Sequence, residues 1–116
     1  MKTFDIYDKD GRLHAFEVDS VLLGRRGVLA VVRRIPCTTI IKKPRLFFSW
    51  FREDVFCEFS IGDRKFVAEE PFGDNSRYWI GTEPVGWCAE LELVRDAFAR
   101  WRPVVDRFRR VLERHH

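Results

Sequence analysis

From Trp87 to Leu112 apolar residues recur at spacings of 4, 3, 4, 3, 4, 3 and 4: Trp87, Leu91, Val94, Phe98, Trp101, Val105, Phe108 and Leu112. That rhythm is one face of an α-helix. Ala97, Val104 and Val111 widen the stripe, and Arg95, Asp96, Arg100, Arg102, Asp106, Arg107, Arg109 and Arg110 fill most of the remaining circumference. Thr82 or Glu83 suits the cap and Pro84 the first turn. The spacing therefore predicts one long C-terminal helix over 82–116. Pro103 falls inside it, where a proline removes a backbone donor and clashes with the preceding turn at a cost of ~3 kcal/mol. Either Pro103 opens a second helix or the helix kinks there. The stripe keeps its phase across the proline, which favours the kink.

A helix from Pro84 to Arg114 would be roughly 45 Å long at its standard rise, whereas a compact chain of this length measures roughly 35 Å across. The first half, Trp87 to Trp101, has room to lie on a sheet. The second half overhangs, and an exposed apolar stripe asks for a partner. A two-fold helix pair is the simplest one, so the expected state is a homodimer self-associating through Trp101, Val105, Phe108 and Leu112. The alternative is a monomer in which Pro103 bends the helix back onto its own sheet.

Before Gly81 the pattern is that of short strands. Thr3 to Tyr7 alternates with Phe4 and Ile6 on one face, Asp8-Lys9-Asp10-Gly11 carries hairpin-turn chemistry, and Leu13 to Val18 returns. Ser20 to Leu23 leads into Gly24-Arg25-Arg26-Gly27, which reads as a second turn, and Val28 to Val32 reads as a β-branched central strand. Thr38 to Lys42, Leu46 to Phe51, Val55 to Ile61, Lys65 to Glu69 and Arg77 to Ile80 follow, with Gly62-Asp63 as a type II′ turn. The expectation is an α+β single domain over 1–116: an antiparallel sheet or partly closed roll of seven to eight strands (1–81) closed by the helix (82–116). With 116 residues, 46% hydrophobic and 15% aromatic, such a chain builds its core without staples.

The net charge of +3 says less than its distribution. From Ser20 to Arg52 stand Arg25, Arg26, Arg33, Arg34, Lys42, Lys43, Arg45 and Arg52 without one acid. From Glu53 to Glu83 the balance reverses, with Glu53, Asp54, Glu58, Asp63, Glu69, Glu70, Asp74 and Glu83 against Arg64, Lys65 and Arg77. A one-signed rim attracts an anionic partner, lipid headgroup or nucleic acid, and Arg25, Arg26, Arg33, Arg34, Lys42, Lys43 and Arg45 are its candidate residues. Alternatively the basic and acidic stretches face each other. The run Lys42-Lys43-Pro44-Arg45 followed by Leu46-Phe47-Phe48-Ser49-Trp50-Phe51-Arg52 admits three readings: a strand buried on both faces, a peripheral membrane contact, or a platform for single-stranded nucleic acid.

The uncharged runs Gly27 to Val32 and Leu46 to Phe51 are far short of the roughly 20 residues of a membrane span. Asp5 stands where a signal peptide wants its apolar region. Cys37, Cys57 and Cys88 are odd in number and widely spaced, which reads as three reduced, half-buried core thiols and hence a cytoplasmic protein. His14, on a strand in the Phe16/Val18 register, reads as a core histidine. His115 and His116, adjacent at the end of the chain, are a poor metal site, and no Cys-x-x-Cys or His-x-x-x-His spacing occurs. No glycine-rich phosphate loop or nucleophile elbow is present. No catalytic residue, metal or cofactor is therefore expected. The one polar gathering that resembles a site is the loop holding Glu69, Glu70, Asp74, Asn75, Ser76 and Arg77, whose Asp, Asn and Ser are equally turn formers.

Strands in hairpin order, a basic early half and a closing C-terminal helix resemble the pleckstrin-homology-like superfold in element order, with no sequence motif beneath the likeness. The resemblance implies that Trp87 to Trp101 plugs one end of a bent barrel and that an anion site lies near Arg25, Arg26, Arg33 and Arg34. It raises the expectation of a binding module. The leading expectation is a non-enzymatic interaction module, self-associating through its C-terminal helix. An anion-binding module using the basic 20–52 stretch comes second, and a small enzyme at the 69–77 loop third.

Overall fold

The structure, a computed structural model, describes residues 1–42, 55–70 and 76–102. It is an α+β arrangement in which one antiparallel sheet carries two helices on one of its faces. In chain order the elements are β1 (Thr3–Tyr7), β2 (Leu13–Asp19), α1 (Ser20–Arg33), β3 (Thr38–Lys42), β4 (Val55–Ile61), β5 (Arg64–Glu69), β6 (Arg77–Thr82) and α2 (Ala89–Arg100). The six strands lie in the order β1-β2-β6-β5-β4-β3. A hairpin of β1 and β2 thus abuts the β3–β6 meander through β6, and α1 carries the chain across to the far edge.

Local chemistry sets the turns. The Asp8 carboxylate accepts from the amides of Asp10 (2.9 Å) and Arg12 (3.0 Å), and Gly11 takes a φ of 79°. In the β4–β5 hairpin Gly62 alone has positive φ, as a type II′ turn requires. The helix-side face of the sheet collects Phe16, Val18, Phe59, Phe66, Tyr78 and Ile80. These meet Leu23, Val28, Val31, Val32 and Ile35 around α1 and Leu91, Val94 and Phe98 on α2. Phe16 and Phe98 approach to 5.5 Å between ring centroids, and the cross-strand pair Phe59–Phe66 stacks at 5.2 Å. Burying each such side chain is worth roughly 1.5–3 kcal/mol.

Four expectations need correction. The stretch read as strand, turn and central strand over Ser20 to Val32 is the helix α1. Val28, Val31, Val32 and Ile35 recur at helical spacing, and their burial on the sheet outweighs the β preference of their branched side chains. Asp19 caps the helix, its carboxylate accepting from the Val21 amide at 2.8 Å. Gly24 survives as a kink inside the helix, at φ 68° and ψ 166°.

The C-terminal helix is also shorter than the stripe suggested. It starts at Ala89, because the Thr82 hydroxyl, bonded to the Pro84 and Gly86 carbonyls and the Gly86 amide, holds a loop where the first turn was expected. It stops at Arg100, with Trp101 extended at ψ 140°. Pro103 explains the stop: its ring would strike the Ala99 carbonyl, and it disfavours helical backbone at Arg102. The Met1 ammonium instead donates to the Ala99 (2.7 Å) and Trp101 (2.5 Å) carbonyls, placing positive charge at the helix C-terminus where the dipole favours it. One long helix kinked at Pro103 is thus excluded, and residues 103–116 lie outside the described residues.

Six described strands stand where seven to eight were expected, the Leu46 to Phe51 segment lying outside the described residues. The pleckstrin-like order fails too, since α1 separates β2 from β3 and β2 neighbours β6. On the face away from the helices, Phe4 and Ile6 share a side as expected, opposite Glu17 and Ala15. Arg77 lies 3.5 Å from the Phe4 ring centroid. The Trp79 indole lies so close over Gly81 that a Cβ there would come within 2.5 Å of it.

Candidate functional site

α1 sorts its residues by face. Its inner side is apolar, and its outer side shows Arg26, Ala30 and Arg33 at helical spacing, with Arg34 following at the C-cap; all four are exposed. No acid occurs anywhere in the helix. Ordinary solvent faces mix signs, so this one is a positively charged strip. None of Arg26, Arg33 and Arg34 forms an ion pair with another described residue.

Arg25 goes elsewhere. It forms an ion pair with Glu70, and its guanidinium lies 5.0 Å from the Phe56 ring centroid. Phe56 in turn lies 4.8 Å from the Tyr78 ring. Burial pushes the Tyr78 phenol above its ordinary value, Glu70 adds to the rise, and Arg25 partly opposes it. Arg25 is thus a structural cation that pins α1, just after its kink, to the end of β5. It also joins the basic 20–52 stretch to the acidic 53–83 stretch. Of the remaining candidates, Lys42 pairs through its backbone with Glu58. Its side chain, Lys43 and Arg45 lie outside the described residues.

The described residues of the 69–77 loop divide between the two faces of the sheet. Glu70 is turned to Arg25, while Arg77 lies on the opposite face of the sheet, 3.7 Å from Glu17. Glu69 is opposite Trp79 in the β5–β6 register. The Ser76 carbonyl accepts from the Ser20 amide at 2.9 Å. Asp74 and Asn75 lie outside the described residues. Among the described residues there is no grouping of three or more His, Cys, Asp or Glu suited to a metal.

Of the self-association candidates, Trp101 is half-buried against the core, and Val105, Phe108 and Leu112 lie outside the described residues. His14 is half-buried on β2. The thiols divide: Cys57 and Cys88 are buried, but Cys37, expected in the core, is exposed at a φ of 63° just after Pro36. The proline breaks the chain between α1 and β3, so the residue after it turns outward.

Two exposed large aliphatic side chains on the helices escaped the sequence reading: Val21, 83% exposed on the first turn of α1, and Leu93, 57% exposed on α2. Their signals were legible. Asp19-Ser20 marks a helix start, and Leu93 falls off the Leu91/Val94/Phe98 stripe. No helix among the described residues is long and apolar enough to cross a membrane. Compared with known proteins, the chain matches no family model, no curated protein and no solved structure.

Proposed function

We propose that the chain is a non-enzymatic interaction module whose working surface is the solvent face of α1 and whose partner is anionic. The observation that carries this reading is that Arg26, Arg33 and Arg34 are exposed together on a helix without an acid. Exposed arginines attract phosphate-rich ligands by long-range attraction and bidentate hydrogen bonding. The three free thiols suit a reducing compartment, and the cytoplasm is the proposed setting.

Inorganic polyphosphate is a chemically neutral probe of this reading. Its affinity for the full chain should fall steeply between about 50 and 200 mM salt. The double variant Arg26→Glu/Arg33→Glu should lose at least about tenfold. Lys9→Glu/Arg64→Glu, an equal charge change at exposed sites on hairpin turns, should lose little. Equal losses in the two double variants would reduce the face to a contribution of net charge.

A second reading, self-association through the segment that begins at Trp101, is favoured by the break in α2. The helix ends at Arg100, so the stripe Val104, Val105, Phe108, Val111 and Leu112 is not a continuation of α2. Truncation after Arg102 should lower the oligomeric state, and an unchanged mass per particle beyond the lost residues would reject this reading.

A further inference from the structure

We infer that the anionic partner of α1 is a phospholipid bilayer surface, met with the helix lying flat; this rests on the reading of α1 as an anion-binding face. Both helices pack on one face of the sheet and touch each other, so their solvent sides lie on the same side of the molecule. On α1 this side shows Arg26, Ala30, Arg33 and Arg34. On α2 it shows Ala89, Leu93, Asp96 and Arg100. Asp96 is held by Arg95 at 2.8 Å, which lowers its opposition to an anionic surface. The half-buried Glu90 and Glu92 stand in the first turn of α2, so the lipid lies closer to α1 than to that turn.

The uncharged residues of this side separate lipid from nucleic acid. Val21, at 83% exposure, is the most exposed large apolar side chain of the described residues, and Leu93 joins it from the neighbouring helix. Base recognition calls for amides and other hydrogen-bonding side chains at base edges, or aromatic rings for stacking. The exposed positions of the two described helices carry no aromatic ring. Aliphatic side chains beside arginines are what an interfacial contact uses: the cations meet headgroup phosphates and the aliphatic groups enter the acyl boundary. Gly24 separates the Val21 turn from the arginine-bearing turns through its kink.

The test uses the full chain with vesicles of phosphatidylcholine alone and of phosphatidylcholine with roughly a third phosphatidylserine, read by co-sedimentation at low salt. Binding should need the anionic lipid. Each arginine near the surface is worth about fivefold, so Arg26→Glu/Arg33→Glu should lose roughly 25-fold or more. Val21→Ser/Leu93→Ser, at exposed positions, should lose roughly tenfold on vesicles and leave polyphosphate binding unchanged. Undiminished vesicle binding by the serine variant would overturn the inference. So would polyphosphate binding without vesicle binding, or tighter binding to a DNA oligonucleotide than to the vesicles. In those three cases the anion-binding reading stands, whereas loss of polyphosphate binding as well would remove both.

Discussion

At Gly24 the backbone stands at φ 68° and ψ 166°, a region open essentially to glycine alone. Nothing crowds a Cβ there, so the cost of Gly24→Ala is purely conformational. It should destabilise the fold by about 1–3 kcal/mol, seen as a lower urea midpoint at unchanged slope. The thiols give a second residue-scale expectation. Burial, reinforced by Glu58, pushes Cys57 from 9.0 to about 11, and burial also raises Cys88. In folded protein an aromatic disulfide reagent near pH 8 should titrate Cys37 quickly and the other two only on unfolding. Because the folded Cys57 holds its proton more tightly than the unfolded chain does, its contribution is complete below pH 9 and is lost as pH rises toward about 11. Replacing Cys57 with Ala should flatten that alkaline decline. Thr82 works by hydrogen bonding: its buried hydroxyl lies 3.0 Å from the Pro84 and Gly86 carbonyls and accepts from the Gly86 amide at 3.1 Å. Thr82→Val should therefore cost about 1–3 kcal/mol.

At the scale of elements, α2 separates the two accounts of the C-terminal stripe. Phe98 is fully buried against Phe16, whereas Trp87 is 42% exposed beside Arg12 in the loop ahead of the helix. Phe98→Ala should cost about 3–5 kcal/mol. Trp87→Ala should stay within about 0.5 kcal/mol, although the stripe makes the two residues equivalent. A large loss at Trp87 would restore the longer helix. The stripe identified the face of α2 correctly, because burial and helical spacing coincide at Leu91, Val94 and Phe98. It misjudges both ends, since a repeat does not report where backbone breaks, and a proline such as Pro84 suits a helix's first turn and a loop alike. α1 was illegible for another reason. Val28, Val31 and Val32 satisfy a buried strand and a buried helix alike, and Gly24 and Gly27 imitate turn punctuation. The candidate site was legible as a basic stretch but not as a surface. The partner of Arg25, Glu70, is 45 positions away in sequence, and only the fold separates that engaged arginine from its exposed neighbours.

Seen whole, the described segments break off at one end of the sheet. Thr3 is opposite Val18, Val18 opposite Tyr78, Trp79 opposite Glu69, and Glu69 opposite Val55, so these positions mark one end of the sheet. Lys42 finishes β3 toward that end, and the Met1 ammonium holds the Trp101 carbonyl there. Segments 43–54, 71–75 and 103–116 therefore all join the described chain on that side. Their sequences bring basic and aromatic residues, Asp74, and the apolar residues Val104, Val105, Phe108, Val111 and Leu112. The absolute mass of the full chain at low and at high salt tests which of these mediates self-association. Apolar burial is not screened by salt, whereas contacts between exposed charges fade beyond a Debye length of roughly 3 Å at 1 M salt. Pairing through the C-terminal stripe thus predicts twice the 13.8 kDa chain mass at both salt levels. A dimer present only at low salt would assign the contact to the charged stretches, with α1 arginines meeting the acidic half of a second copy. That outcome would compete with an external anionic partner for the same face. A monomer at both salt levels would reject self-association and leave the α1 face as the surface to pursue.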